Sequence, residues 1–430
     1  MKTKNLLLLV LTILTILSCG TGKKSNEIIL KWVTDNNPMR LKQIRIFEKM
    51  NPGIKIELLL GLKAEQKLTQ IASGKPAFSL MDVYSVSKFR ELVNKNALID
   101  LSGRFKKDKI SLEILWPATK KLIMEKNKIY GFPCNAGSFV LFYNSELTEK
   151  IGINIPRRKR LTWNEFRKLS KKLTIKDNAK NFPDSFGALL PFTAQWFQSI
   201  LLWQTSGNWF TKNKKKLAFN YEKYKEALKM FYNMRYTDNS VPTPGNMQSM
   251  IQQGNWGTGV NTFASGKIGF FISGKWGESL FRKYKKLKYD VTYLPYFKGE
   301  KPYNFFASHS TVIPKGAKHI EQAYKFIKYL SSREYNKTIA ISGDALPAIM
   351  KFAKNVIFMK TPYFPDRKNK IYAKEMENSR VFEFPNNFHF SEFYSRIYKQ
   401  NLEAYYDAKS LTIEQMINNS EKEGNKLFDY

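Results

Sequence analysis

Residues 27–37 read EIILKWVTDNN, an apolar run broken once by a lysine and closing abruptly in Thr34, Asp35, Asn36 and Asn37. A short apolar run bounded by turn-forming residues is the pattern of a buried strand opening into a loop. The next fifty residues decide which sheet this strand joins. Pro38 suits a helix start, and Leu41, Ile44, Phe47 and Met50 recur at the spacing of one buried helical face before Asn51-Pro52-Gly53 ends it. IKIELLL (54–60) then reads as a second strand, a helix runs through Leu68 to Ile71, LMDVYSV (80–86) is a third strand, and another helix ends near NALIDLS. Strand and helix alternate, which predicts an α/β fold with a mainly parallel sheet and helices on both faces. Ligands collect at the carboxyl ends of such strands. The polar groups placed there are Thr34, Asp35 and Asn36 after the first strand, and Asp82, Tyr84 and Ser85 at the third.

Further along, the texture changes at YGFPCNAGSFVLFYNSELTEKIGI (130–153), where Pro133 and Gly137 punctuate a strand that crosses from one unit to another. Thr162 with Glu165 three residues on is a capping-box signature, so a helix starts there. Two aromatic stretches come next, FTAQWFQSILLWQTSGNWF (192–210) and FASGKIGFFISGKWGESLF (263–281). YDVTYLPYFKG is a further strand pattern, and STVIPKGAKHIEQAYKFIKYLSS (310–332) is a strand, a Pro-Gly turn and an amphipathic helix. The C-terminal portion reads as helical, with Leu411, Met416 and Ile417 on its buried face.

In the other direction, the chain begins MKTKNLLLLVLTILTILSCGTGKKSN. Lys2 and Lys4 precede an apolar stretch from Leu6 to Leu17, the length of a signal-peptide core and short of the roughly 18 residues that span a bilayer. Residues 1–18 are therefore expected to be an export signal. Ile16-Leu17-Ser18-Cys19-Gly20 resembles a bacterial lipobox, in which Cys19 becomes a lipid-modified N-terminus; Leu17 is an unusual choice within it. Residues 19–26 then read as a flexible tether.

With 430 residues, 43% hydrophobic and 14% aromatic, the chain buries large cores and exceeds one typical domain, so two lobes are expected. The formal charge is +35, and loss of the leader, whose only charges are Lys2 and Lys4, leaves +33. Such a value invites nucleic-acid binding. The lysines, however, are spread in short groups such as KNKKK and RKYKKLK within hydrophobic helix and strand patterns, and no nucleic-acid recognition motif accompanies them. They read as a solvated basic surface, with attraction toward anionic lipid or an acidic ligand as the alternative. The only cysteines are Cys19 and Cys134, so lipid on the first leaves the second without an intramolecular partner.

Catalytic motifs are missing. His309, His319 and His389 are too scattered for a zinc-protease pair, and there is no Cys-x-x-Cys and no Gly-x-Ser-x-Gly elbow. No cofactor and no metal are expected. Paired carboxylates for glycoside hydrolysis need no motif, so a glycan-active enzyme stays open at this point. Aromatic faces suited to sugar rings are present: Trp196, Trp203, Trp209, Trp256 and Trp276 all fall in the second unit. Core packing is the ordinary role of a tryptophan, and Trp203, after Leu201-Leu202, fits it best. Trp276 differs, because Ser-Gly-Lys-Trp-Gly flanks it with glycines, Gly274 among them, that expose backbone.

The order of segments resembles the extracellular solute-binding proteins of ABC transporters that carry sugars, the maltodextrin-binding-like group. The matching pieces are ILKWVTDNN with FEKMNPGIKIEL, SGKPAFSLMDVY, NALIDLS, KIYGFPCNAGSFVLFYNSELTEKIGI, TWNEF, FASGKIGFFISGKW, YLPYFKGEKP and VIPKGAKHIEQAYKFIKYLSS. The resemblance implies a two-lobed periplasmic-binding-protein-like fold, with 27–134 plus 294–332 as the first lobe and 135–293 plus 333–430 as the second. It implies a monomeric receptor held to the membrane by its lipid, outside the cytoplasm, that delivers a sugar to an ABC permease without altering it. Carried over by position, the ligand loop is Thr34 to Asn36, the third-strand acid is Asp82 and the stacking ring is Trp276. The expected ligand-binding set is Thr34, Asp35, Asn36, Asp82, Tyr84, Trp203, Trp209, Trp256, Gly274, Trp276 and Ser308. Where many relatives carry a glycine pair, this chain has NFFASHSTVI, so Phe305, Phe306, Ser308 and His309 reshape the cleft. A glycerophosphodiester, a polyamine or an acidic sugar remain alternatives in the same fold, and an enzyme or surface adhesin are alternatives of another class.

Overall fold

The computed structural model describes residues 27–428 except 157–158, 177–182, 251–257, 343–344 and 361–365. In chain order its main strands are β1 (Ile28–Val33), β2 (Ile54–Leu59), β3 (Leu80–Val83), β4 (Gly131–Pro133), β5 (Phe139–Asn144), β6 (Phe186–Leu189), β7 (Ile268–Gly274), β8 (Tyr289–Thr292), β9 (Asn304–Phe305), β10 (Ser310–Val312) and β11 (Ser379–Arg380). Two sheets result. The first runs β2-β1-β3-β10-β4 and the second β8-β5-β7-β6, while β9 pairs with β11.

The expected helix after β1 forms as Met39–Met50, but its buried residues are Arg40, Gln43, Ile44 and Phe47, whereas Leu41 and Met50 are about half exposed. The helix is rolled so that Arg40 faces inward, toward Asp35 and His309. Alternation along β1 explains the two helical layers: Leu30 and Trp32 pack against Phe47 and Phe326, while Val33 joins Met81, Val83 and Phe89 on the other face. In the second sheet β5 is buried throughout, its odd residues Phe139, Leu141 and Tyr143 facing one cluster and Val140 and Phe142 the other. The Thr162 capping box is present, with Glu165 N–H donating to the Thr162 hydroxyl at 3.1 Å and Thr162 N–H to the Glu165 carboxylate at 2.7 Å.

The α/β, two-lobed architecture matches expectation, but both sheets are mixed rather than mainly parallel. β1 pairs parallel with β2 and β3, and β10 enters antiparallel between β3 and β4. In the second sheet β8–β5 and β5–β7 are antiparallel and β6–β7 is parallel. Long crossing connections remove the directional constraint that a compact strand-helix-strand unit imposes. The chain crosses between β4 and β5, and again between β8 and β10. These crossings are tied by the buried Glu375, which accepts from Leu294 N–H at 3.0 Å and Asn304 Nδ2 at 2.8 Å; Asn304 Nδ2 also donates to Phe139 O at 2.7 Å. Among the described residues no helix is long and apolar enough to cross a membrane.

Candidate functional site

A cavity of about 390 Å³ lies between elements of the two sheets, within the usual size of a small-ligand site. Its polar wall comes from the first sheet. The loop after β1 turns back so that the Asp35 carboxylate accepts from Asn37 N–H at 3.0 Å, Arg40 Nη2 at 2.9 Å and the Tyr84 hydroxyl at 2.9 Å. The buried Arg40 also reaches Gln43 Oε1 at 3.1 Å and His309 Nε2 at 3.1 Å. A guanidinium only donates, so His309 Nε2 is the acceptor of that contact. The His309 ring in turn stacks on Tyr84 at 4.9 Å between centroids.

The opposite wall is aromatic and comes from the second sheet. Phe139, at the start of β5, stacks face to face on Trp196 at 3.6 Å and meets Trp276 edge-on at 5.4 Å. Trp276 opens the helix Trp276–Phe281 directly after β7 and lies flat over Gly274, where a Cβ would come 2.0 Å from its ring. Gly137 is similarly close, its Cβ position 3.3 Å from the same indole. The missing Cβ of Gly274 therefore makes room for the indole, which rests on it. Phe305, Phe306, Ala307, Ser308 and His309 complete the cavity, and the Ser308 hydroxyl donates to Asn135 O.

Asp82 lies beneath this cavity. Its carboxylate is fully covered and accepts from Trp32 Nε1 at 2.8 Å, Thr311 Oγ1 at 2.6 Å and the Thr34 hydroxyl. Asp82, Cys134 and His309 place donor atoms within 4.8 Å of one another. The set fits a metal poorly, because the Asp82 oxygens are already engaged by three donors and the Arg40 guanidinium sits 3.1 Å from His309 Nε2. The buried Cys134 thiol shares a 3.0 Å contact with Thr311 Oγ1, and burial, with Asp82 beside it, pushes its pKa well up.

Of the expected residues, the structure thus brings Asp35, Tyr84, Trp276 and Ser308 to the cavity and sets Thr34, Asp82 and Gly274 behind its walls. Asn36 is exposed, and its neighbour Asn37 lines the cavity instead. Trp209 is core, ringed by Phe219, Phe390, Phe393, Tyr394 and Tyr398. Trp203 is 3% exposed and stacks on the outer side of Phe305. Trp256 and Cys19 lie outside the described residues. The residues missed are Arg40, Asn37, Asn135, Phe139 and Gln195, while Trp196, named among the aromatic candidates but left out of the expected ligand-binding set, also lines the cavity. Arg40 had a signal, since it stands four and seven residues before Ile44 and Phe47 on one helical face.

Burial raises the Asp35 carboxyl, but the Arg40 guanidinium and the Asn37 N–H outweigh it and hold the group at about 2, below its ordinary 3.8. A carboxyl depressed in the folded state stabilises above its unfolded pKa, and that stability is lost as pH falls through the folded value. Asp35 is expected to contribute roughly 2 kcal/mol above pH 4, disappearing between about pH 4 and 2. Denaturation of wild type and Asp35→Asn across that range should show a gap at neutral pH that closes toward pH 2; parallel curves would contradict it.

Two sheets clasping one cavity, one wall polar and the other aromatic, are the architecture of a two-lobed binding protein. The chain belongs to the bacterial extracellular solute-binding protein family, whose model matches residues 27–337. It is 25% identical over 353 residues to the arabinooligosaccharide-binding protein of Bacillus subtilis, covering 78% of this chain and 77% of that one. It is 22% identical over 348 residues to the multiple sugar-binding protein of Streptococcus mutans, covering 78% and 79%. Among solved structures it is similar to a Listeria monocytogenes ABC substrate-binding protein in complex with cycloalternan, with TM-score 0.78, 21% identity and 93% and 98% coverage. A maltose-bound T. maritima protein gives TM-score 0.76 at 19% identity, with 93% and 100% coverage. At these identities the structural likeness establishes the fold.

Proposed function

We propose that this chain is the receptor of an ABC importer, held outside the cytoplasm by lipid on Cys19 and binding a neutral sugar, an oligosaccharide, without altering it. The observation that carries the reading is the pairing of walls: Asp35, Tyr84, Asn37 and Asn135 face Trp196, Trp276 and Phe139 across a single cavity. Rings of that kind stack on the C–H face of a sugar while carboxylate and amide groups take its hydroxyls. Among the described residues that line the cavity, Arg40 is the one Lys or Arg side chain, and it is already paired with Asp35 at 2.9 Å, which favours a neutral ligand over an acidic one. The named ligands of the relatives, arabinooligosaccharide and multiple sugars, agree with it.

In this reading the lobes are 27–134 with 294–332 and 135–293 with 333–430, and a ligand touching both stabilises the closed state that the permease recognises. The protein works as a monomer, with the basic surface solvated. Thermal unfolding of the mature chain without residues 1–26, against arabino-, malto- and manno-oligosaccharides, glycerophosphodiesters and polyamines, tests it. A sugar at about 100 times its Kd should stabilise the fold by roughly 2.7 kcal/mol, a clear upward shift in Tm. A response to polyamines or phosphodiesters alone would replace the ligand class. Release of shortened sugars during incubation would replace binding by catalysis.

A further inference from the structure

Single exposed apolar side chains are ordinary on a protein surface, but a group of them on neighbouring elements marks a contact face. Leu41, Met50, Val356 and Ile357 are each between 41% and 65% exposed. Leu41 and Met50 stand on the outer side of the helix Met39–Met50, which packs against the helix Arg333–Ser342. That helix in turn packs against two short ones, Met350–Ala353 and Val356–Met359. Inward, Phe47, Tyr335, Ile339 and Phe358 share one core with Leu30 and Trp32 of β1, so the outward residues of these helices look away from the first sheet together. We propose that this face is a peripheral membrane-binding surface, which lays the folded chain on a bilayer containing anionic lipid.

Basic side chains frame the apolar ones. Lys42, Arg45 and Lys49 are exposed beside Leu41 and Met50, and Lys351, Lys354 and Lys360 are exposed beside Val356 and Ile357. None of the six forms an ion pair among the described residues, and the one exposed acid on these helices is Glu334. Glu48, half-buried, is matched by Lys55 at 3.5 Å. A soluble polyanion would satisfy the bases and leave the apolar side chains in water. A bilayer takes both, since long basic stems reach lipid phosphates while the aliphatic tips enter the boundary of the acyl chains. The course of the chain agrees with this. Ile28 N–H donates to Gly53 O at 2.9 Å, three residues past Met50, so the chain enters its fold beside this face. The proposal rests on the receptor reading for its anchor: residues 19–26, fully extended, reach about 28 Å, so a lipid on Cys19 and this face can meet the same bilayer. The face then fixes which way the tethered protein lies, while the rest of the basic surface stays solvated.

Flotation of the chain without residues 1–26, which keeps every described element, with phosphatidylcholine vesicles holding from none to about half phosphatidylglycerol tests it. Partitioning should rise at least about tenfold over that range and fall about tenfold between roughly 50 and 300 mM salt. Val356→Ser with Ile357→Ser, and separately Lys42→Glu with Arg45→Glu, should each cut partitioning about tenfold while Tm holds, because only exposed positions change. Lys283→Glu with Lys285→Glu makes the same change in charge at exposed positions outside the face and should leave partitioning within about threefold. Absence of partitioning, indifference to both face variants, or an equal loss in the outside pair overturns the proposal. A concentration-dependent dimer in analytical ultracentrifugation that Val356→Ser with Ile357→Ser abolishes gives the face to a second copy and overturns it too. Each of these outcomes leaves the sugar-dependent rise in Tm untouched, so the receptor reading stands or falls separately.

Discussion

Trp276→Ala should weaken the preferred sugar about a hundredfold, close to 2.7 kcal/mol, with little change in Tm. The indole is a rim residue of the aromatic wall, so its loss removes a stacking face without opening the interior. Its position is set from below by Gly274 and Gly137 and from the side by Phe139. That seat supplies an independent check. Gly274→Ala leaves the tryptophan in the sequence but places a methyl group 2.0 Å from where the ring now lies, so the ring must lift. Its binding defect should approach that of Trp276→Ala, and Trp276→Phe should recover part of the loss. Unchanged affinity in a folded Trp276→Ala protein would remove Trp276 from the site.

Lys275→Met is the variant expected to cost most in stability. Lys275 is 1% exposed, with Nζ 2.9 Å from Glu278 Oε2, 2.6 Å from Asn369 Oδ1 and 4.5 Å from the centroid of the Tyr372 ring. Tyr372 donates its hydroxyl to the other Glu278 oxygen at 2.6 Å. Removing the ammonium leaves the fully buried Glu278 without its cation, a loss of about 3–5 kcal/mol. Pairing it with Glu278→Leu should restore most of that, because desolvation of the two charges offsets much of their attraction. Denaturant midpoints of wild type and these two variants check this. A single variant costing under about 1 kcal/mol would show that the pair does not anchor the helix carrying Trp276.

Much of the fold was legible in the sequence because its elements are specified locally. The β1 run, the Thr162 capping box and the turn before the 320–330 helix each arise from a few neighbouring residues. The site was only half legible, for a physical reason. Asp35, Tyr84 and Trp276 sit beside the turns that expose them, so their neighbourhood announced them. Trp209 also has polar neighbours, Gly207 and Asn208, yet it is covered by rings from residues 390–398 that no local pattern connects to it. Asp82 stands at the expected strand end, but Thr311, brought in by β10 from 229 residues away, closes over it. Strand direction was equally hidden, since a crossing chain can enter a sheet either way.

The place of β10 also sets an order of events in folding. It fills the gap between β3 and β4, though its residues, 310–312, come after the whole of the second sheet. Until they are available, β3 and β4 keep bare edges and Asp82 lacks its Thr311 donor. A chain emerging N-terminus first therefore cannot finish its first lobe before most of its second has been made. Closure over so many residues slows folding, and for that interval the edges of β3 and β4 stay open to wrong pairing.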